Sequence, residues 1–245
     1  MGSQRLILVD GSGYIFRAFY ALPPMSREDG TPVNAVFGFT SMLLKLSEDM
    51  EGENILVVFD AARTTFRNAI YKEYKANRSE PPEELVPQFD LIKKATTAIG
   101  LKSLEVENYE ADDIIATYVK IAKKENIETL VISSDKDLMQ LIQDGVSLYD
   151  PMKNIKIGPE AVFEKFGVSP DKVIDVQALA GDSSDNVPGV PGIGVKTASQ
   201  LINEYGSLEK LLDNASSIKQ EKRRESLLNN AEIAILSKKL VSLFS

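Results

Sequence analysis

Three short apolar runs that each end on an aspartate constrain the fold of this chain more than any other feature. The runs lie at residues 5–10, 54–60 and 129–135. Nearly continuous apolar runs of this length are typical of parallel strands that are covered on both faces. Helical periodicity fills the intervening segments, notably 33–48, 83–99 and 111–124. This alternation predicts an α/β fold with a mostly parallel central sheet and helices on both faces.

The aspartates that end these runs are candidates for a shared site. Ligands bind beyond the carboxyl ends of the strands in sheets of this kind, and Asp10, Asp60 and Asp135 stand at those ends. A single aspartate at the end of a strand usually forms a turn. The start of a helix can stabilise the negative charge of one or two carboxylates. Further acids follow these strands or open the helix at 111–124, namely Glu110, Asp112, Asp113 and Asp137. So many carboxylates at one sheet edge indicate a bound divalent cation.

The composition excludes several classes of site. The chain has no cysteine and no histidine, so it can form neither a disulfide nor a Ser-His-Asp triad. Any metal must therefore be held by oxygen ligands, which favours magnesium, manganese or calcium. Three known motifs are also incomplete in this sequence. Ser12 stands where a haloacid-type phosphatase has its second aspartate, and Phe16 stands where a dinucleotide-binding fingerprint has its third glycine. Val195 separates the glycine from the lysine that a phosphate-binding loop would need side by side.

The second part of the chain reads as almost wholly helical. Prolines and glycines are dense between 151 and 170, and we place a boundary there, with an α/β core at 1–166 and a helical domain at 167–245. Helices are predicted at 170–180, 195–205, 207–214 and 220–243. Asp182 and Asp185 are three residues apart, so on a helical turn they could face one ion.

A glycine-rich hairpin follows these two acids. It contains Gly189, Gly192 and Gly194 and leads into a helix with Lys196 and Thr197 in its first turn. Glycine permits positive φ angles and close approach of a foreign backbone, and the free N–H groups of a helix start favour phosphate. The alternative interpretation is an ordinary turn between two helices.

Basic residues are concentrated locally, although the net charge is −8. Between residues 63 and 78 five basic residues stand against one acid, and three aromatic residues are interleaved with them. Basic groups follow a phosphate backbone while aromatic faces stack on bases, so this pattern favours nucleic acid, although a solvated basic face would look similar. A second basic cluster consists of Lys219, Lys222, Arg223 and Arg224.

Six fragments of the sequence, in order, resemble the 5′-nuclease (flap endonuclease) family, and most closely its branch of N-terminal 5′–3′ exonuclease domains of bacterial DNA polymerases I. The fragments are Leu8–Ser12, Val57–Asp60, Tyr74–Arg78, Glu110–Asp113, Ser134–Asp137 and Gly181–Gly194. The resemblance covers nearly the whole chain. It implies a PIN-like nuclease core followed by a small helix–three-turn–helix domain.

The resemblance also implies roles for individual residues. Carboxylates around two divalent metals would be Asp10, Asp60, Glu110, Asp112, Asp113, Asp135, Asp137, Asp182 and Asp185. Asp60, Glu110 and Asp112 would lean toward one ion and Asp137, Asp182 and Asp185 toward the other, with Asp135 between them and Asp10 and Asp113 acting through water. Catalytic roles would fall to Lys75, Arg78 and Asp112. DNA contacts would come from Arg17, Arg67, Tyr74, Lys75, Arg78, Gly189, Gly192, Gly194, Lys196 and Thr197.

The implied activity is a metal-dependent 5′–3′ exonuclease and 5′-flap endonuclease that acts in replication and repair. The cofactors would be two Mg²⁺ or Mn²⁺ ions, with K⁺ at the hairpin. The partner would be duplex DNA with a 5′ flap, nick or 5′ end, including RNA-primed strands. The chain would act without a membrane, as a monomer or as part of a longer polymerase, in the nucleoid-associated cytoplasm. A PIN-type nuclease acting on RNA and an inert DNA-binding module remain alternatives.

Overall fold

The computed structural model describes residues 5–151 and 153–245, and its centre is a six-stranded sheet. The strands are β1 (Leu6–Asp10), β2 (Asn54–Val58), β3 (Lys102–Leu104), β4 (Thr129–Ile132), β5 (Val146–Asp150) and β6 (Ile155–Ile157). Their order is β3-β2-β1-β4-β5-β6, and only β6 runs antiparallel to its neighbour. In register, Leu8 of β1 lies between Leu56 and Val131. The carboxyl ends of β1, β2 and β4 therefore meet at one edge.

Eleven α-helices of the described residues surround and extend this sheet. They are α1 (Gly11–Ala21), α2 (Asn34–Asp49), α3 (Phe66–Ile70), α4 (Gln88–Ala98), α5 (Ala111–Lys124), α6 (Pro159–Phe166), α7 (Val173–Ala180), α8 (Val195–Tyr205), α9 (Leu208–Asp213), α10 (Glu221–Asn229) and α11 (Ala231–Val241). Short 3-10 helices lie at Asp137–Leu141, Pro170–Lys172 and Ala215–Ser217.

Alternate residues of the strands enter different apolar cores. Ile7 and Val9 of β1 pack with Phe39 of α2 on one face of the sheet. Leu8, between them, points to the other face and joins the core that contains Ile115 of α5. That second core continues without interruption into the carboxyl-terminal helices, including Leu201 of α8. Burial on both faces explains why the strands are nearly continuous apolar runs.

The predicted fold class is confirmed, and the differences in individual elements are local. The helices predicted at 111–124 and 195–205 have the predicted bounds. The helix predicted at 220–243 is wrong as one element, because it breaks at Asn230 between α10 and α11. The Asn230 side chain donates to the carbonyl of Ser226, and such local side-chain bonds compete with helical geometry. The segment 151–170, where the boundary between the two domains was predicted, also contains a strand. This strand is β6, which forms a hairpin with β5.

No helix within the described residues has both the length and the apolar character needed to cross a membrane.

Candidate active site

A chain of hydrogen bonds organises the carboxylates that follow β1 and β4. The buried Asp10 caps α1 by accepting from the N–H of Gly13 (3.0 Å) and also accepts from the hydroxyl of Ser133 (2.8 Å). The same hydroxyl accepts from the N–H of Asp135 (3.0 Å), and the carboxylate of Asp135 accepts from the N–H of Asp137 (2.8 Å). Acids from two neighbouring strands are thus held at fixed positions.

The acid that follows β2 is fixed in a similar way. The N–H of Asp60 donates to the Ser12 hydroxyl (3.0 Å), and its carboxylate accepts from the N–H of Ala111 at the start of α5 (2.7 Å). This packing depends on a residue without a side chain at Gly11, where a Cβ atom would lie 2.5 Å from the ring of Phe59. Asp60 therefore links β1, β2 and α5.

The amino-terminal end of α5 is held by a buried ion pair. Arg67 and Asp113 each have a side chain that is 1% exposed, and they are joined by two hydrogen bonds of 2.7 Å. Asp113 also accepts from the N–H of Glu110 (3.1 Å), which completes a capping box. Arg67 further donates to the carbonyls of Leu240 (2.9 Å) and Ser242 (3.0 Å). This cluster of Arg67, Asp113 and the two carbonyls ties the site to the end of α11.

A tight turn between α7 and α8 adds two more carboxylates. Asp182 and Val187 form an antiparallel bridge, and Asp185 lies in the turn between them. Lys136 approaches Asp182 with Nζ 2.6 Å from Oδ2, and Arg78 forms an ion pair with Asp185. The predicted helical turn is therefore wrong for these acids, because a bridged turn presents them, but both reach the same sheet edge.

Lys75 and Tyr74 lie between the carboxylates of the two parts of the chain. Lys75 Nζ is 2.8 Å from Glu110 and 3.6 Å from Asp185. The Tyr74 hydroxyl lies 3.2 Å from Glu110 and 3.1 Å from Asp185. Within residues 5–151 and 153–245, no three acidic side chains converge closely enough to hold a metal ion as they stand. Lys75 occupies the space between two of these acids, Glu110 and Asp185.

The remaining acids carry an excess of negative charge. Burial, followed by the charge of Asp135, raises the pKa of Asp137 to about 7. Burial also raises the pKa of Asp10 to about 6, although its hydrogen bonds from Gly13 and Ser133 act in the opposite direction. Desolvation and then the charges of Asp135 and Asp10 raise the pKa of Asp112. Nearby carboxylates produce such shifts when too little positive charge lies between them.

This donor set fits hard divalent cations. All of its charged ligand atoms are carboxylate oxygens, which Mg²⁺ and Mn²⁺ prefer. The raised pKa values of Asp10, Asp112 and Asp137 indicate that added positive charge would be stabilised beside these three acids. A cavity of about 10 Å³ lies among the carboxylates, close to the smallest space that holds one water molecule. It is lined in part by Glu110, Asp112, Asp137, Asp182 and Asp185.

Two of the side chains predicted to contact DNA, those of Arg67 and Tyr74, are buried. Arg67 is enclosed by the ion pair with Asp113, so its guanidinium binds the protein interior in this structure, and the direct DNA contact stays a prediction. Tyr74 is 5% exposed and packs against Val187 and Leu240, so its ring has no free face on which a base could stack. Both carboxylate oxygens of Asp113 accept hydrogen bonds from Arg67, and its role around the metals stays a prediction.

Other predicted contact residues are accessible. Arg78 has a side chain that is 49% exposed, and Arg17 is half-buried on α1. Gly192, Gly194 and Lys196 are exposed where the hairpin enters α8, whose N-cap residue makes no side-chain cap. The free N–H groups at this helix start are available to an anion. Thr197 follows in the same turn and is half-buried.

Gly189 has a structural role in the hairpin. It is buried, has a φ of +62°, and its N–H donates to the Ser237 hydroxyl (3.0 Å). A Cβ atom at Gly189 would lie 2.3 Å from the backbone nitrogen of Gly181. Gly189 therefore faces the protein interior, and its DNA contact stays a prediction.

Several residues of the site were not predicted. Ser12 and Ser133 orient strand-end acids, and Gln177 donates to the carboxylate of Asp137 (2.5 Å). Lys136 neutralises part of the charge on Asp182. The position of Lys136 between two acids in Asp135–Asp137 was a usable signal, whereas nothing local distinguishes the two serines or Gln177.

The fold and the site define a chain of the 5′-3′ exonuclease family. Residues 5–167 match the family described as "5′-3′ exonuclease, N-terminal resolvase-like domain", and residues 168–245 match "5′-3′ exonuclease, C-terminal SAM fold". The chain belongs to this family, whose members are hydrolases of DNA phosphodiester bonds. The resemblance noted in the sequence is thereby confirmed.

Individual relatives agree with this assignment. The chain is 54% identical to DNA polymerase I of Rhizobium leguminosarum over 98% of its own length, which is 24% of that relative. It spans about a quarter of the length of the DNA polymerases I that it matches.

Solved structures of bacteriophage T5 proteins share the fold. One is a 5′-exonuclease with bound divalent zinc ions, at a TM-score of 0.83 and 25% identity, covering 98% of this chain and 90% of that one. Another is a flap endonuclease in a pseudo-enzyme–product complex with DNA and metal ions, at a TM-score of 0.81 and 25% identity, covering 98% and 89%.

Proposed function

We propose that this chain hydrolyses DNA phosphodiesters as a divalent-metal-dependent 5′–3′ exonuclease and 5′-flap endonuclease in replication and repair. The observation that carries the proposal is that carboxylates from both parts of the chain line one cavity, with Lys75 and Arg78 beside them. The metal ions and DNA named for the bacteriophage T5 structures support it.

Two Mg²⁺ or Mn²⁺ ions would occupy the site. Asp60, Glu110 and Asp112 belong to one ion, and Asp137, Asp182 and Asp185 to the other. Asp135 would lie between the two groups, which agrees with its charge raising the pKa of both Asp112 and Asp137. Asp10 holds this arrangement through Ser133, and Asp113 through Arg67.

When bound, two such ions lower the pKa of water and stabilise the attacking and leaving oxygens of an in-line displacement. The protein supplies the positioned cations that complement this chemistry. Burial lowers the pKa of Lys75, but the charges of Glu110 and Asp185 outweigh burial and raise this pKa above its usual value. Lys75 therefore remains an ammonium at neutral pH. Arg78 is likewise kept charged by Asp185. Both can stabilise negative charge that develops on the scissile phosphate.

The surface around the site suits the backbone of duplex DNA. Arg17 and Arg78 would contact phosphates near the cut, and the N–H groups at the start of α8 would contact phosphates further along. We propose that Gly192, Gly194, Lys196 and Thr197 form this second contact, with K⁺ between the hairpin and a phosphate. The substrate would be a duplex with a 5′ flap, nick or 5′ end, including an RNA-primed strand. The chain would act as a monomer or within a longer polymerase, close to chromosomal DNA.

The test is cleavage of a labelled 5′-flap duplex with Mg²⁺. The wild-type chain should cut, whereas chelator or Asp112→Ala should reduce cleavage by at least roughly 100-fold. Lys75→Ala should lower turnover far more than duplex affinity, because it removes charge stabilisation that is used in the transition state. Equal cleavage by the wild type, the chelated enzyme and Asp112→Ala would contradict the proposal. The matched control is Asp144→Ala, which removes an exposed acid in the turn before β5, at the opposite end of the parallel strands from the strand-end acids.

A further inference from the structure

The segment that carries Lys75 has no regular secondary structure to fix it. Residues 71–77 form a series of turns between α3 and an exposed stretch. Lys75 itself has a φ of +56°, in the left-handed region that L-residues with side chains adopt at a cost of roughly 1–2 kcal/mol. Turn hydrogen bonds within the segment, such as that from the N–H of Ala76 to the carbonyl of Glu73 (3.0 Å), shape it locally, and contacts from outside the segment fix it against the rest of the chain.

Those contacts come from the turn that presents Asp185. The N–H of Lys75 donates to the carbonyl of Asp185 (2.9 Å). On one side of it, the amide of Asn186 donates to the carbonyl of Glu73 (2.6 Å). On the other side, the amide of Asn77 donates to the carbonyl of Ser183 (2.7 Å). We call these three hydrogen bonds the asparagine clasp.

The clasp is reciprocal and centred on Lys75. Each of the two segments provides one asparagine whose amide donates to the main chain of the other segment. Their points of attachment, Glu73 and Asn77, each lie two residues from Lys75. Asn186, like Lys75, has a φ of +56°, so both backbones are bent to bring the groups together. Asparagine adopts this conformation more readily than most residues.

We propose that Asn77 and Asn186 are positioning residues that set the Lys75 ammonium against the site carboxylates. This inference rests on the proposed nuclease function. The clasp joins the first part of the chain to the turn that carries two site acids, so it fixes Lys75 relative to both Glu110 and Asp185. Misplacement of a catalytic group by about 1 Å can reduce a rate roughly 100-fold.

The experiment measures kcat, KM and melting temperature on a 5′-flap duplex for Asn77→Ala and Asn186→Gly. Glycine at position 186 keeps the positive φ accessible while the side chain that carries the amide is removed. Each variant should lose roughly tenfold in kcat, with KM changed less than about twofold, because one hydrogen bond that orients the catalytic group is lost. The melting temperature should change by only a few degrees.

The decisive measurement repeats both substitutions in a Lys75→Ala background. If the clasp acts through Lys75, Asn77→Ala or Asn186→Gly should lower the remaining activity less than about twofold there, because the group that they position is already absent. Full tenfold losses in that background, or unchanged kcat in the single variants, would overturn the inference. A wild-type chain that fails to cut with Mg²⁺ would instead contradict the nuclease function itself.

Discussion

Replacing Arg67 should damage stability far more than DNA affinity, because the structure buries this residue completely. The substitution Arg67→Met removes the charge and keeps an unbranched apolar side chain. It leaves Asp113 as a buried carboxylate without its partner, and the carbonyls of Leu240 and Ser242 without their donor. Removing one member of a buried ion pair costs roughly 3–5 kcal/mol. For a chain of this size, the melting temperature should fall by roughly 6–20 °C.

The assay is urea and thermal unfolding, monitored by circular dichroism, in the presence of chelator. Arg63→Met is the matched control, because Arg63 pairs with Glu80 at the surface, where the two side chains are 46% and 86% exposed. An exposed pair contributes at most about 1 kcal/mol. The double variant Arg67→Met/Asp113→Leu should be more stable than the sum of the single losses predicts, because it leaves no unpaired buried charge.

Two results would refute this reasoning. One is a loss of stability for Arg67→Met no larger than that for Arg63→Met. The other is an unchanged melting temperature together with a large loss of duplex affinity, which would make Arg67 a DNA contact after all.

Two further predictions concern the hairpin and the metal site. Gly189→Ala should lose roughly 3–5 kcal/mol of stability, because its Cβ atom would meet the backbone of Gly181. Gly192→Ala has open space around its Cβ atom and should lose only about 1–2 kcal/mol. Similar urea midpoints for the two variants would contradict the described packing. The second prediction concerns pH in the presence of chelator. The pKa values of Asp10 and Asp137 in the folded chain, about 6 and about 7, lie above the value near 3.8 in the unfolded chain, so the folded chain binds more protons. The free energy of unfolding should therefore rise as the pH falls from about 7 to about 4. Because protons on these acids compete with the metal, Mg²⁺ should raise the melting temperature more at pH 8 than at pH 5.5. An equal or reversed effect of Mg²⁺ would contradict this prediction.

The parts of the fold that the sequence predicted are those with a strong local signal. The strands β1, β2 and β4 are buried on both faces, so almost every residue in them is apolar. Helix α5 combines a wide apolar face with acids in its first turn and lysines in its last. In contrast, β6 has three residues, and its pairing with β5 depends on a partner that no local pattern reveals.

The site was predictable to the same extent. Asp10, Asp60 and Asp135 follow strands, and the topology rule for parallel sheets places them at one edge. The burial of Arg67 was not predictable, because its partner Asp113 lies 46 residues away and its carbonyl partners lie still further along. A basic residue in a basic segment looks exposed until those long-range contacts are known.

The contacts of Arg67 also determine when a working site can exist during synthesis. The carbonyls of Leu240 and Ser242 lie 173 and 175 residues after Arg67. At about 5–20 residues per second, synthesis of that interval takes roughly 9–35 s. Until those residues emerge, the start of α5 has no brace, and Asp113 cannot be held as it is in the finished fold. The proposed nuclease site would therefore be incomplete until α11 has been made and has packed.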